Sequence, residues 1–287
     1  MTQDPRRENK PLFGSKFFIS ETQNFLMAEM TMIRGIIKEK KLKGRALEIS
    51  AMIFSLLSTG NAILELSKEN LRFYNECVML ARSFFERMTN ICYLLLCDED
   101  TFKGCMHHTI FKQYTRRSDN SKVIKDENDN ILMELSLTQK NTENLKKDMN
   151  LKDVIDKFKK SRRTRFPTPK IEKRLGFIAK FNEYLNVSLL LAYQLLYYDD
   201  ASEALHGSFY GSLFHVLNVG SKNKNDIDVE INKNTALLLL GTGELIHQLV
   251  RLLHKDNDLM EFYEKSFYNS EGIHKKFKFA LQKDVMV

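Results

Sequence analysis

A stretch of thirty residues, 68–97, contains neither glycine nor proline and is apolar on two opposite sides when it is drawn as a helix. One stripe consists of Phe73, Leu80, Phe84, Ile91 and Leu95, and the other consists of Leu71, Val78, Phe85 and Leu96. A helix that is apolar nearly all round is buried among other helices. The stretch therefore predicts a long helix at the centre of a helical bundle, beginning after Ser67 and ending before Asp98.

Turn-forming residues are scarce in the whole chain, which has only 12 glycines and 4 prolines among 287 residues. Sandwiches, barrels and doubly wound sheets need many such residues, so their scarcity favours long helices. The hydrophobic content of 43% also excludes a disordered polymer. We predict an all-α fold in a single domain over 1–287, with a polar and basic, partly irregular insert at 118–168. A domain boundary near residue 140 is the alternative.

The net charge of +7 is concentrated in one part of the chain. Residues 138–174 carry 13 basic and 5 acidic side chains, a local excess of +8 that leaves −1 for the other 250 residues. Phe158 and Phe166 are interleaved with its cations, and such a pattern suits phosphate contacts with base stacking. The predicted nucleic-acid contacts are Lys157, Lys159, Lys160, Arg162, Arg163 and Arg165. A solvated charged surface, or a docking peptide for an acidic partner, is the alternative.

The sequence also bears on the compartment. No run of about 18 uncharged apolar residues is present, so we expect no membrane-spanning helix and no membrane partner. The N-terminus carries Asp4, Arg6, Arg7 and Glu8 and has no early apolar core, unlike a signal peptide. Four scattered cysteines are expected to be reduced thiols, so we predict a cytoplasmic protein.

Arg82 and Glu86 lie four residues apart on the predicted central helix. Such a pair contributes a few tenths of a kcal/mol on a helix surface. Here the neighbouring positions are mostly apolar, which predicts partial burial, and buried charges often mark functional sites. A structural ion pair that fixes the helix register is the competing interpretation.

Ser202, Glu203 and His206 share one face of a second predicted helix, because they are spaced by three and four residues. A histidine among small residues on a packed face can act as a general base or contact an RNA backbone. The competing interpretation is a core histidine hydrogen-bonded to Ser202 or Glu86.

The spacing of acidic, histidine and cysteine residues indicates two candidate metal sites. Glu203 and His206 have a counterpart of equal spacing in Glu244 and His247, and two such motifs are typical of dinuclear carboxylate bundles. Glu86 and Glu183 would complete that set, so a di-metal carboxylate enzyme is one alternative. The second grouping is Cys97, Cys105, His107 and His108, whose spacing fits no common zinc pattern. Our preferred site contains no metal and no cofactor.

Several short motifs, taken in order, resemble a known family. They are Ala81-Arg82-Ser83-Phe84-Phe85-Glu86, Pro169-Lys170-Ile171, Tyr184, Tyr197 through Ser202, and His206-Gly207. Over roughly residues 45–220 they resemble the signatures of a bacterial family of uncharacterised all-α proteins, which itself looks related to HEPN-type helical bundles. HEPN proteins are commonly homodimeric RNases or RNA-binding modules of toxin–antitoxin and phage-defence systems. The resemblance therefore implies an HEPN-like bundle, a homodimer, RNA as substrate, and an antitoxin or defence-system partner.

The chain departs from the HEPN ribonuclease signature, in which arginine precedes histidine by four to six residues on one helix. No arginine has that spacing before any of the 7 histidines, and Ala201 stands where it would precede His206. The resemblance then implies one of two functions. In the first, a metal-independent endoribonuclease, Arg82 stabilises the phosphorane from the facing helix, His206 transfers protons, and Glu86, Ser202 and Glu203 support them.

The second function is a non-catalytic interaction module in which Arg82, Glu86 and His206 form a buried polar lock. Truncating Arg82 in such a lock is expected to cost about 3–5 kcal/mol, because it leaves a buried charge unpaired.

Overall fold

The structure is a computed structural model that describes residues 15–118, 121–125, 131–136, 156, 169–181, 183, 185–205 and 224–284. Side chains are described within these ranges except at 70–72, 110–136, 199–200, 202–205, 224–227 and 277–284. The described chain is helical apart from one two-stranded hairpin, so the predicted all-α class is confirmed.

The elements follow one another in a simple order. They are α1 (Lys16–Lys38), α2 (Gly44–Glu48), α3 (Ser50–Leu66), α4 (Asn70–Leu96), α5 (Glu99–Ser118), β1 (Ser121–Lys125), β2 (Ile131–Ser136), α6 (Ile171–Ile178), α7 (Val187–Leu205), α8 (Lys224–Asp256) and α9 (Met260–Asp284). Single 3₁₀ turns at Ser67–Glu69 and Ala179–Phe181 follow α3 and α6.

Helix α4 is the central element that the apolar pattern predicts. It packs against α3, α6, α7 and α8, and its side chains Phe84, Phe85 and Met88 are fully buried. Helix α8 forms the other main layer, between α4 and the pair α1 and α9. Gly243 permits the close approach of α8 to α1, since a Cβ atom there would lie 2.6 Å from the Phe25 ring.

The central helix begins differently from its prediction. Ser67 lies in the 3₁₀ turn and donates its hydroxyl hydrogen to the carbonyl of Leu64 instead of capping α4. Asp98, predicted to end α4, also starts α5, because its carboxylate accepts hydrogen bonds from the backbone and the hydroxyl of Thr101. Those bonds also lower the pKa of Asp98.

Three other predicted boundaries were wrong. The sequence pattern predicts a helix within 46–64 that ends around Gly60-Asn61, whereas α3 continues to Leu66. Gly60 allows the Met30 sulfur to approach within 3.1 Å of where its Cβ would lie. Thr168 and Pro169 predict the start of one helix that runs to about Tyr198 or beyond, whereas the structure has two helices there, α6 and α7. The sequence after residue 254 predicts two short amphipathic segments, whereas the structure has the single helix α9.

Residues 97–170 contain the predicted insert. Contacts group the chain into two compact units, Met1–Leu96 with Ile171–Val287, and Cys97–Lys170. The second unit holds α5 and an antiparallel hairpin, β1 with β2, where a loop was predicted. The sequence pattern over 141–160 predicts a charged helix, which lies outside the described residues apart from Asp156. The division into one domain with an insert stays a prediction.

One helix meets the length and composition of a membrane span, contrary to the sequence expectation. It is Asp228–Asp256 within α8, and 78% of its most apolar window is buried inside the protein. The expectation required a run of apolar residues with no charge, whereas the length and composition of a span also allow up to two charged residues in a window of 18. The burial is that of a core helix, packed against α1, α4 and α9.

Candidate functional site: an arginine cluster on the central helix

Arg82 and Glu86 form the predicted ion pair on α4. The Nε atom of Arg82 lies 3.3 Å from Oε1 of Glu86, and the two side chains retain 20% and 42% of their exposure. The helix places them at the edge of the core because the intervening residues Phe84 and Phe85 point inward and are fully buried. The partial burial predicted from the sequence is present.

Tyr198 on α7 joins this pair from the facing helix. Its hydroxyl donates a hydrogen bond of 3.1 Å to Oε1 of Glu86, and the Arg82 guanidinium lies 4.7 Å from the centre of its ring. The Phe85 ring supports Tyr198 from the core side in an edge-to-face contact of 5.7 Å. Burial and the charge of Glu86 raise the pKa of Tyr198, so its hydroxyl is a donor at neutral pH.

Arg174 on α6 supplies a second guanidinium, whose charge interacts with that of Glu86. Its charge also interacts with Tyr198, and its Nε atom is buried without a hydrogen-bond partner among the described residues. Burial lowers the pKa of Arg174 and Glu86 opposes this effect, but an arginine in a protein remains protonated. We call Arg82, Glu86, Arg174 and Tyr198 the arginine cluster.

The arginine cluster has the chemistry of an anion site. Two guanidiniums against one carboxylate leave a net positive charge, and guanidinium groups bind phosphate oxygens with a rigid set of donors. Glu86 and the Tyr198 ring fix the Arg82 guanidinium, so little side-chain entropy remains to be lost on binding. The cluster contains no histidine, so the proton transfers of a ribonuclease mechanism would have to use a residue elsewhere in the chain.

The structure describes the side chains of two of the five predicted catalytic residues, and it brings these two, Arg82 and Glu86, together. The backbone of Ser202 and Glu203 lies in α7, with Ser202 one helical turn beyond Tyr198. His206 follows directly after the last described residue of α7 and lies outside the described residues, as do the predicted RNA contacts between Lys157 and Arg165.

Sequence reasoning missed the roles of Tyr198 and Arg174. Tyr198 entered only as part of a family motif, and Arg174 only as one positive charge in the basic segment. The available signal for Tyr198 was its position beside Tyr197, because adjacent positions on a helix point about 100° apart and need not share one environment. Tyr197 is buried, whereas Tyr198 is partly exposed beside Glu86.

The residues of the metal alternatives are only partly described. Within the described ranges, no group of three or more His, Cys, Asp or Glu side chains could hold a metal ion. Glu86 forms an ion pair with Arg82 and accepts a hydrogen bond from Tyr198, and Glu244 accepts a hydrogen bond from Ser270. The other half of the dinuclear motif, Glu203 and His206, falls outside the described side chains.

Four buried cysteines and one cavity are further features of the described residues. All four cysteines are buried and free of disulfides, and burial raises the pKa of Cys92 to about 12, which makes it a poor nucleophile. A cavity of about 280 Å³ lies away from the arginine cluster, where the ends of α4 and α8 meet α2, with Lys43, Leu95 and Asp256 in its lining.

Comparison with known proteins gives one finding about family. No curated protein and no solved structure matches the chain. The model of the family of unknown function DUF5677 matches residues 49–226, which is more than half of the chain and contains all four residues of the arginine cluster. The resemblance to an uncharacterised family, predicted over roughly 45–220, is confirmed. The chain belongs to the family of unknown function DUF5677.

Proposed function

We propose that this protein is an HEPN-like, metal-independent endoribonuclease that acts as a toxin or in phage defence. The observation that carries the proposal is the arginine cluster on a partly exposed face, in which Arg82 contacts Glu86 and Tyr198. Arg174 adds a second positive charge that interacts with both. Helix α7, which supplies Tyr198, leads at its C-terminal end to the sequence position of His206. The order of these residues along the chain also supports the proposal through the HEPN resemblance.

The proposed reaction is attack of an RNA 2′-hydroxyl on the adjacent phosphorus. His206 accepts the proton of the 2′-hydroxyl as the new oxygen–phosphorus bond forms. It then gives this proton to the 5′-oxygen as the bond between that oxygen and phosphorus breaks. The products are a 2′,3′-cyclic phosphate and a free 5′-hydroxyl. No metal is needed because the nucleophile belongs to the RNA itself.

Each cluster residue has a stated part in this reaction. Arg82 stabilises the negative charge that develops on the phosphorane, and Glu86 with Tyr198 holds its guanidinium in place. Arg174 adds a second phosphate contact. Ser202 and Glu203 orient His206, and the basic residues between 157 and 165 hold the RNA backbone. Because Arg82 comes from the facing helix, the reaction does not require an arginine close before histidine in sequence.

The proposal includes the molecular setting of the enzyme. We propose a cytoplasmic homodimer whose activity is controlled by an antitoxin or by another defence-system protein. The concentrated positive charge at 138–174 favours RNA over uncharged substrates. This setting rests on the HEPN resemblance and on the charge distribution.

Cleavage of single-stranded RNA by the full-length chain tests the proposal. In the presence of a chelator, the wild type should produce 2′,3′-cyclic phosphate ends. The His206→Ala protein should be about 10²–10⁴-fold slower, the usual contribution of a general acid–base group. His107→Ala, which changes a histidine of α5, is the matched control and should cleave like the wild type. Cleavage by the His206→Ala protein at the wild-type rate would contradict the assignment of His206 as the catalytic acid–base group.

A second candidate function is a non-catalytic interaction module. Its support is that Glu86 already holds the Arg82 guanidinium and the Tyr198 ring already covers it, as in a structural lock. RNA binding separates the two functions. The nuclease requires that Arg82→Ala weaken RNA binding at least about tenfold, as for a lost charge-assisted contact, whereas Arg34→Ala on α1 should leave it unchanged. Equal RNA binding by both variants, together with no cleavage by the wild type, would favour the module.

A further inference from the structure

The inner face of α9 is polar where the inner faces of most core helices are apolar. Leu259, just before the helix, and Ile273 bury apolar side chains, but Ser266 and Ser270 lie between them and are almost completely buried. Burying polar groups lowers stability unless they are hydrogen-bonded. The middle of α9 is therefore held on the bundle by specific hydrogen bonds.

Glu29 of α1 is the first acceptor of these bonds. Its carboxylate is fully buried and accepts a short hydrogen bond from the Ser266 hydroxyl and a bond of 3.3 Å from the Asn269 amide. Burial is the main reason that the pKa of Glu29 rises to about 7, and the charge of Glu244 adds to this effect. Both of the donors that satisfy Glu29 belong to α9.

Glu244 of α8 is the second acceptor. It is 6% exposed and accepts a hydrogen bond of 2.9 Å from the Ser270 hydroxyl. Nε2 of His274 lies 3.1 Å from the same carboxylate oxygen, and this bond raises the pKa of His274. We call Glu29, Glu244 and the four α9 donors Ser266, Asn269, Ser270 and His274 the α9 seam.

His247 of α8 extends the seam into the core. Its Nδ1 atom lies 2.8 Å from the Ser266 hydroxyl oxygen. When Glu29 is ionised it accepts the Ser266 hydrogen, and His247 then donates its Nδ1 hydrogen to the Ser266 oxygen. Burial lowers the pKa of His247, against the charge of Glu244 and together with that of Arg251.

We propose that α9 is a releasable helix, held on α1 and α8 by donors to two buried carboxylates, and that it opens as one unit when the pH rises. In the closed helix, each carboxylate has donors from α9. Once α9 leaves, Glu29 and Glu244 gain water and their mutual repulsion is screened. The release uncovers Glu29, Glu244 and His247 between α1 and α8 and leaves the arginine cluster unchanged.

The direction of the pH dependence follows from proton linkage. Glu29 has a raised pKa when α9 is closed, so its contribution to closure is lost as the pH rises from 4.5 through about 7. The raised pKa of His274 acts in the same direction, since its contribution is present below 6.5 and is lost as the pH rises. The lowered pKa of His247 acts oppositely and only below 6.5. Closure is therefore weakest on the alkaline side.

The remaining charged groups that face the seam do not reverse this sign. Lys276 of α9 pairs with Glu21 of α1 at the surface, and Arg251 of α8 lies near His247. Lysine and arginine ordinarily stay protonated throughout the pH range from about 6 to 8.5, and glutamate at the surface stays ionised. They add a constant attraction or repulsion.

Hydrogen exchange of the full-length chain, corrected for intrinsic rates, tests the proposal at about pH 6 and about pH 8.5. A carboxyl whose pKa falls from about 7 in the closed state to 4.5 on opening raises the opening constant about tenfold over this range. The increase should be found in peptides of α9 and not in those of α8. Exchange that rises equally in both helices, or in neither, would overturn the proposal.

Two variants make the assignment specific. Glu29→Gln keeps the shape of the side chain but cannot ionise, so most of the increase in opening of α9 between the two pH values should disappear. Glu21→Gln removes the surface pair with Lys276 on the same two helices. This control variant should show the same pH-dependent increase in opening of α9 as the wild type. An increase in the Glu29→Gln protein as large as in the wild type would contradict the proposal. If the Glu29→Gln protein does not fold, the comparison of exchange in α9 with exchange in α8 of the wild type still tests the proposal.

Discussion

The carboxylates of Glu86, in the arginine cluster, and of Glu29, in the α9 seam, lie in two contrasting environments. Glu86 keeps 42% of its side-chain exposure and has a cation 3.3 Å away. Glu29 is fully buried, and its hydrogen-bond donors among the described residues are neutral groups, a hydroxyl and an amide. Burial without a neighbouring cation raises the pKa of a carboxyl, and the pKa of Glu29 rises to about 7 mainly for this reason. One region is thus suited to binding an anion and the other to responding to pH.

The largest expected effect comes from removing the core ring beneath the arginine cluster. Phe85→Ala deletes a fully buried side chain that packs against the rings of Tyr193 and Tyr198. The free energy of unfolding should fall by about 3–5 kcal/mol, as for other buried phenylalanines replaced by alanine. Urea unfolding measures the loss. Phe54→Ala, at a 61% exposed position of α3, is the control and should change stability little.

Removing the hydroxyl at the centre of the α9 seam should have the next largest effect. Ser266→Ala leaves a buried carboxylate and a buried imidazole without their shared partner, which should cost about 1–3 kcal/mol. Ser58→Ala is the matched control, because Ser58 is exposed and donates only to the carbonyl of Phe54 in its own helix. Equal losses in the two variants would show that burial does not distinguish the seam from a surface hydroxyl.

The local features of both regions could be predicted from the sequence, and the long-range ones could not. Spacing along a helix was enough to pair Arg82 with Glu86 and to place the central helix. The Tyr198 hydroxyl, however, reaches Glu86 from 112 residues away, and Ser266 reaches Glu29 from 237 residues away. No local periodicity carries such information.

The break between α6 and α7 has the same kind of cause. No glycine or proline marks it in the sequence, so one continuous helix was predicted. Gln248 of α8 accepts a hydrogen bond of 3.0 Å from the backbone of Asn186, just before α7. Arg251 donates to the carbonyl of Glu183 in the same connection. A distant helix thus satisfies the backbone groups that the break leaves free.

Truncation of Arg82 distinguishes a half-open cluster from a closed lock. The sequence-based lock predicts a loss of about 3–5 kcal/mol for Arg82→Ala. The exposed fractions of Arg82 and Glu86 lead us to expect about 1 kcal/mol, because water can solvate Glu86 once its partner is gone. Thermal or urea unfolding measures the difference, with Arg34→Ala as the surface control. A loss of about 3–5 kcal/mol would instead show that the cluster is a structural lock.

The smallest effect that we expect separates two tyrosine hydroxyls on one helix. Tyr193→Phe removes a buried hydroxyl that lies 2.8 Å from the Thr242 hydroxyl, and should cost about 1 kcal/mol. Tyr198→Phe removes the donor to Glu86 but keeps the ring under Arg82, and should cost about 0.5 kcal/mol or less, since water can reach the half-exposed carboxylate in its place. Paired unfolding curves of the two variants provide the measurement. If the loss at Tyr198 equalled or exceeded the loss at Tyr193, water would not reach Glu86, and the arginine cluster would be as closed to ligands as the α9 seam.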